Sequence, residues 1–325
     1  VWGRSFSIFA DGAHAAYPVA CLVLSESFFQ SGCGIMNGNV YLDSVGSVER
    51  MNLKPVSFFS GALFSRKTCF VYLPPSYDRD SERRYPVIYL LHGMNGTEIH
   101  WIVQGRADRT VEAMIGAGQL RECIVVMPND GGYGQGTFYV DWYDGTGNFE
   151  QYILYDLIPF IDAEFRTIPE RQCRVVGGYS MGGFGAFSLA LRHPSLFGAA
   201  ASMSGGLATP GTMPYREYSR SQYARMFGPL YGPYAKSYDL HELAAQRAAD
   251  PEQPALYLDC GTEDELYPLN AEFHRKLREL GYPHKYQEFP GGHNWEYWTE
   301  HLTDALRFFE QYFAAWQQAK PPAGE

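Results

Sequence analysis

The feature that most limits what this chain can fold into is the run Tyr85-Pro86-Val87-Ile88-Tyr89-Leu90-Leu91, which is apolar at nearly every position. A strand with one wet face alternates apolar and polar residues; one without alternation is buried on both faces and needs cover on each. Similar short β-rich runs recur along the chain: Val56–Phe59, Thr68–Leu73, Cys123–Met127, Arg174–Gly178, Gly198–Met203, Ala255–Asp259 and His284–Phe289. Helical stretches separate many of them. One leads to about Leu120, and Phe149–Phe165 places Ile153, Leu157, Ile158 and Ile161 on one side; Gly183–Arg192 and Trp298–Phe313 follow. Strands alternating with helices imply an α/β fold with a mostly parallel central sheet flanked by helices.

Composition fits a large buried core. Of 325 residues, 46% are hydrophobic and only 19% charged, which excludes a solvated, disordered chain. The net charge is −10 with no basic run, which argues against a nucleic-acid or anionic-membrane partner. No apolar stretch is long enough for a membrane span. The six cysteines form no C-x-x-C pair, so buried free thiols are expected. Residues 1–50 show neither period and read as an N-terminal extension of separate status; Met51 looks like a natural start. Ala13–Leu24 has the apolarity of a signal-peptide core but only Arg4 ahead of it, so a cytoplasmic location is favoured over secretion. Residues 51–325 form one domain, interrupted by a Tyr- and Pro-rich insertion at about 205–254 that is too long for a tight connection. Oligomeric state is not legible.

The chemical signal is Gly178-Tyr179-Ser180-Met181-Gly182, a G-x-S-x-G between a buried strand and a helix. A serine on so sharp a turn is crowded, and glycines two before and two after relieve the crowding and leave its hydroxyl exposed. The following helix aims its N-terminal amides at developing negative charge. A serine needs a base. Of nine histidines, His293, in the loop after the last strand, is best stationed; His92 ends an earlier strand and has either a structural or a site role. An acid that orients the base should follow the preceding strand, where Asp259 and Asp264 compete; Asp264 lies beyond the Gly261 turn and is preferred. The amides of Met181 and of Met94, in His92-Gly93-Met94-Asn95-Gly96, are the candidate oxyanion donors.

Candidate substrate-contacting residues are aromatic. Trp101 and Trp295 flank the oxyanion loop and the base, and Tyr179 adjoins the nucleophile. Tyr133 and Trp142, in Gly131–Asp144, either line a slot or pack under the insertion. His241-Glu242-Leu243-Ala244-Ala245 lacks the second histidine of a zinc motif, and neither a dinucleotide nor a phosphate loop is present, so no metal or cofactor is implied.

These pieces together resemble the putative-esterase family of α/β-hydrolases, which includes tributyrin-type short-chain carboxylesterases, feruloyl and acetylxylan esterases, S-formylglutathione hydrolases and mycolyltransferases. The resemblance rests on Tyr85–Gly93, Gly178–Ala186, Arg192-His193-Pro194, Cys260-Gly261-Thr262-Glu263-Asp264 and Pro290–Trp298. It implies the α/β-hydrolase fold, a Ser180–His293–Asp264 triad, oxyanion amides at Met94 and Met181, and a small-molecule or carbohydrate-linked ester as substrate. The Leu90-Leu91-His92-Gly93-Met94 run is most similar to the tributyrin type. Asn95-Gly96-Thr97 departs from the cysteine that S-formylglutathione hydrolases usually carry nearby.

Overall fold

A computed structural model describes residues 34–36, 39–41, 52–132, 136–209 and 220–319. The chain divides into two compact units, residues 1–50 and 51–325. In the first, the described residues are two strands, β1 (Gly34–Met36) and β2 (Asn39–Tyr41), paired antiparallel. The leader-like stretch 13–24, Cys21, Cys33, Met51 and Tyr133 lie outside the described residues.

The second unit is built on an eight-stranded sheet. Its strands in chain order are β3 (Leu53–Ser60), β4 (Ser65–Tyr72), β5 (Val87–Leu91), β6 (Ile124–Pro128), β7 (Arg174–Tyr179), β8 (Ala199–Met203), β9 (Ala255–Gly261) and β10 (His284–Phe289). Across the sheet they run β10-β9-β8-β7-β5-β6-β4-β3. The β3–β4 and β4–β6 pairs are antiparallel and the rest parallel. Such a mixed sheet with helices on both sides is the α/β-hydrolase architecture expected from the sequence. From β5 the chain moves to β6 on one side, then returns past β5 to β7 on the other. That reversal makes the carboxyl ends of β5 and β7 the topological switch point, where open α/β sheets hold their ligands.

The apolar run that opened the sequence analysis is explained by its two faces. Val87, Tyr89 and Leu91 pack into one core cluster with Phe184, Phe187 and Leu191. Ile88 and Leu90 pack into the other, with Val111, Leu302 and Phe309. Each such side chain contributes about 1.5–3 kcal/mol by leaving water, so a polar residue anywhere in the run would leave one layer without its cover. The helices that close the first face include α3 (Phe149–Gln151), continued by a π-helical turn (Tyr152–Leu157) and α4 (Ile158–Glu164), and α5 (Met181–Arg192). On the second lies α2 (Ala107–Gly116), after the short α1 (His100–Val103).

The insertion carries α6 (Arg220–Phe227), α7 (Pro233–Lys236) and α8 (Leu240–Arg247). Two elements depart from the sequence reading. A helix, α9 (Tyr267–Glu279), follows the acid loop where none was anticipated. The last helix, α10 (Trp295–Ala319), begins a turn earlier than expected, because the Asn294 side chain accepts the Tyr297 N–H at 3.0 Å and caps it. Cys69, Cys123, Cys173 and Cys260 are buried free thiols. No helix among the described residues is long and apolar enough to cross a membrane.

Candidate active site

Ser180 sits between the end of β7 and the start of α5 with φ 56° and ψ −121°, left-handed backbone that a residue with a side chain rarely adopts. The surrounding structure enforces it. The Ser180 N–H donates to Met203 O at 3.0 Å, and Ser180 O accepts from the N–H groups of Gly183 and Gly206 at 3.0 and 3.2 Å. The turn fits only without a Cβ at its flank: one added to Gly182 would stand 2.3 Å from Leu91 O. The close approach of α5 to the end of β5, and with it the G-x-S-x-G spacing, therefore has a steric cause.

His293 reaches the serine from the loop between β10 and α10. Its Nε2 lies 2.9 Å from Ser180 Oγ and its Nδ1 lies 2.8 Å from Asp264 Oδ2. A carboxylate only accepts, so Nδ1 carries the proton and Nε2 is left to accept from the serine hydroxyl. The Asp264 side chain is fully buried, and its other oxygen takes the Leu266 N–H at 2.8 Å. The loops carrying acid and base are pinned together by Thr262 N–H to Phe289 O (2.8 Å) and Glu263 N–H to Gly291 O (3.0 Å). Asp259 is equally buried but turns away, accepting the Tyr297 hydroxyl at 3.0 Å. Of the two acids the sequence left in competition, Asp264 is the one at the histidine.

The 92–96 loop lies directly against Ser180: a Cβ on Gly93 would stand 3.2 Å from Ser180 Cβ. Gly96 N–H closes a turn on Gly93 O at 3.1 Å, with Asn95 at φ 57° between. Met94 follows Gly93 in this turn, and no acceptor engages its N–H among the described residues. Met181 is the first residue of α5, where helical amides have no acceptor of their own. Both amides therefore belong to segments that border Ser180. His92 is wholly buried, its Nδ1 2.8 Å from Gly93 O and its Nε2 accepting the Asp130 N–H at 3.1 Å. With one ring nitrogen donating and the other accepting, the imidazole is neutral, and burial pushes its pKa down. His92 thus ties the 92–96 loop to the one that follows β6, a structural link the sequence had left as one of two options.

The aromatic candidates divide. Trp101 is fully buried and meets the edges of Tyr179 (5.2 Å) and Trp295 (5.7 Å), so it backs the site instead of walling it. Tyr179 is also buried, stacked on Trp298 at 4.3 Å. Trp142 is buried against Phe149, with its indole N–H on Thr137 O at 3.2 Å, and braces the 136–148 loop. Trp295 alone of these keeps partial exposure. Trp298, which the sequence reading passed over, packs edge-on against the His293 ring at 4.9 Å. Its signal was the spacing from Trp295, three residues earlier on one helix face. No group of three or more metal-ligating side chains is found among the described residues.

The family model described as Putative esterase matches residues 60–309, and the chain belongs to that family. Over 275 residues, 80% of this chain and 99% of the relative, it is 25% identical to an acetyl esterase of Caldicellulosiruptor saccharolyticus. Over 167 residues, 49% of this chain, it is 35% identical to an endo-1,4-beta-xylanase/feruloyl esterase of Xylanibacter ruminicola, spanning only 22% of that protein's length. A solved ferulic acid esterase superposes with a TM-score of 0.70 at 30% identity, covering 80% of this chain and 98% of the other.

Proposed function

We propose that the chain is a serine carboxylesterase that hydrolyses short-chain acyl esters through an acyl-enzyme on Ser180. The observation that carries this is the continuous relay from Ser180 Oγ through His293 to Asp264, at 2.9 and 2.8 Å. In the proposed cycle Ser180 Oγ attacks the ester carbonyl while its proton passes to His293 Nε2. The amides of Met94 and Met181 hold the oxyanion, and Asp264 stabilises the imidazolium without taking its proton. Collapse breaks the bond to the alcohol, which leaves with the proton from Nε2. Water then adds to the acyl carbon, giving its proton to Nε2, and the second collapse returns that proton to Ser180 as the acid departs. The cycle calls for no cofactor. Trp295, partly exposed beside the base, is the proposed substrate contact.

A feruloyl esterase is the second reading, favoured by the 30% and 35% identities to proteins of that name. Both are tested by fluorophosphonate labelling followed by an ester panel, p-nitrophenyl acetate to octanoate with methyl ferulate and acetylated xylan. Labelling that Ser180→Ala abolishes, with rates falling as the acyl chain lengthens, is expected. No labelling would defeat the hydrolase, and preference for methyl ferulate would move the assignment to the second reading.

A further inference from the structure

Beneath the base loop lies a second buried acid that the proposed cycle does not use. Asp259, near the end of β9, is 0% exposed, and its two oxygens differ: Oδ1 takes the Tyr297 hydroxyl at 3.0 Å, while Oδ2 is buried and meets no donor at hydrogen-bond distance among the described residues. The buried Tyr257 phenol, on the same strand, also acts on this carboxylate. Such groups are costly to bury and call for a reason. Tyr297 supplies one. It stands four residues after His293 in the first turn of α10, its N–H is held by Asn294 Oδ1 at 3.0 Å, and its ring packs on Gly291 so closely that a Cβ there would come within 2.8 Å of it. Tyr297 therefore touches the loop on both sides of His293, and Asp259 fixes the far end of Tyr297.

We infer that Asp259 and Tyr297 are positioning residues, a carboxyl–phenol clamp that ties the start of α10 to the end of β9 and so sets where the 290–294 loop presents its imidazole to Ser180. The inference rests on the esterase reading and concerns a pair outside the reacting atoms. The clamp also titrates. Burial, partly offset by the phenols of Tyr257 and Tyr297 and reinforced by the charge of Asp304, pushes the Asp259 carboxyl up to about 7. The groups around it are Tyr257 on β9 and Tyr297, His301 and Asp304 on α10. His301 packs at a tilt on Tyr297 at 4.4 Å and bonds Asp304 at 3.1 Å, and Lys285 on β10 lies over the Tyr257 ring at 5.6 Å. The neighbours of Asp259 in register, Met203 on β8 and Gln287 on β10, do not titrate. A phenol donates more strongly to a carboxylate than to a carboxylic acid. The clamp is therefore tight above neutrality and slackens as pH falls through about 7.

The test is the pH dependence of kcat and KM for p-nitrophenyl acetate in wild type, Asp259→Asn and Tyr297→Phe, with folding checked by circular dichroism. Wild-type kcat/KM is expected to show a step of up to about tenfold as pH falls through about 7, where Asp259 takes up a proton. Asp259→Asn keeps the shape of the side chain but is neutral at every pH, so its profile should lack that step. Tyr297→Phe should lower kcat about tenfold with KM nearly unchanged, the signature of a base displaced by a fraction of an ångström. A wild type without esterase activity that Ser180→Ala removes would overturn the function itself. An active wild type whose profile superimposes on both variants would overturn the clamp alone. If Asp259→Asn does not fold, Tyr297→Phe decides: an unchanged kcat refutes the inference.

Discussion

Glu150→Gln should destabilise the domain by about 3 kcal/mol at pH 7.5, and the size of the loss should depend on pH in a way the structure dictates. Glu150, on α3, is almost wholly buried. Its Oε1 accepts from Arg192 Nε at 2.8 Å and lies 2.5 Å from His193 Nε2; its Oε2 accepts from Arg192 Nη2 at 3.2 Å and the Tyr238 hydroxyl at 2.5 Å. One carboxylate thus joins α3, the end of α5 and the insertion. Burial alone would raise its pKa, but the hydrogen bonds from His193 and Arg192, the charge of Arg192 and the Tyr238 hydroxyl prevail and hold it near 2, against an ordinary 4.5. At about 1.4 kcal/mol per pH unit, that difference corresponds to roughly 3 kcal/mol. The native state binds this proton more weakly than the unfolded chain, so the contribution is complete above 4.5 and is lost as pH falls toward 2. At pH 3 it should be about 1 kcal/mol. Urea unfolding followed by tryptophan fluorescence, at pH 7.5, 4 and 3, measures the difference between wild type and Glu150→Gln. A gap that stays constant across that range, or one under about 1 kcal/mol at pH 7.5, would refute the reasoning.

Three further outcomes are expected. Ser180→Ala should lower kcat by at least about 10⁴-fold, read from p-nitrophenyl acetate hydrolysis, while its thermal midpoint stays near or above wild type because the strained turn loses little packing. His92→Ala should lower kcat about 10–100-fold by freeing the Met94 loop; recovery in His92→Asn but not His92→Gln, or the reverse, would show whether the bond to Gly93 O or to Asp130 N–H matters more. Asp259→Asn should gain stability relative to wild type as pH rises from about 4 to 7. The raised carboxyl holds its proton more tightly in the native state, so stability present below the unfolded pKa is lost through that window, on the order of 4 kcal/mol in full. Denaturation at pH 4.5 and 8 checks the sign.

The sheet was legible because its strands obey a rule that sequence displays. A residue buried on both faces must be apolar, and Val87–Leu91 and Ile124–Pro128 have no exposed side chains at all. Ser180 and His293 were legible as candidates because glycines punctuate their loops. Helix α9 was missed although its signals are present: Pro268 suits a first turn, and Asn270, Phe273 and Leu277 repeat at helical spacing, but Asn270 interrupts the apolar stripe and the other face is charged. The aromatic candidates could not be sorted by sequence for a different reason. Trp101 and Tyr179 lie close to the site and Trp142 in a loop beyond the end of β6, but a ring that walls a slot and a ring that packs behind it have the same composition and similar spacing. Only their packing partners differ, and those come from segments far apart in the chain.

The two acids of the β9 loop show how little separates a relay from a clamp. Asp259 and Asp264 lie on opposite sides of Gly261 and are equally hidden from water. Gly261 is the pivot: a Cβ there would meet Gly291 O at 2.1 Å, so the backbone passes directly beneath the base loop. Before the pivot, the strand still holds its pleat and Asp259 points down toward Tyr297. After it, the chain has turned, and Asp264 presents one oxygen to the Leu266 N–H and the other to His293. Charge and burial are alike at the two positions; the difference is the number of donors each finds. Asp264 finds one for each oxygen, which fixes its orientation and makes it a stable seat for an imidazolium. At Asp259 burial, reinforced by the charge of Asp304, outweighs the phenols of Tyr257 and Tyr297 and pushes the carboxyl up to about 7. A substitution that supplied Asp259 Oδ2 with a donor should lower that value and flatten the acid limb, whereas one that removed the Leu266 N–H from Asp264 should leave the limb in place and lower its height.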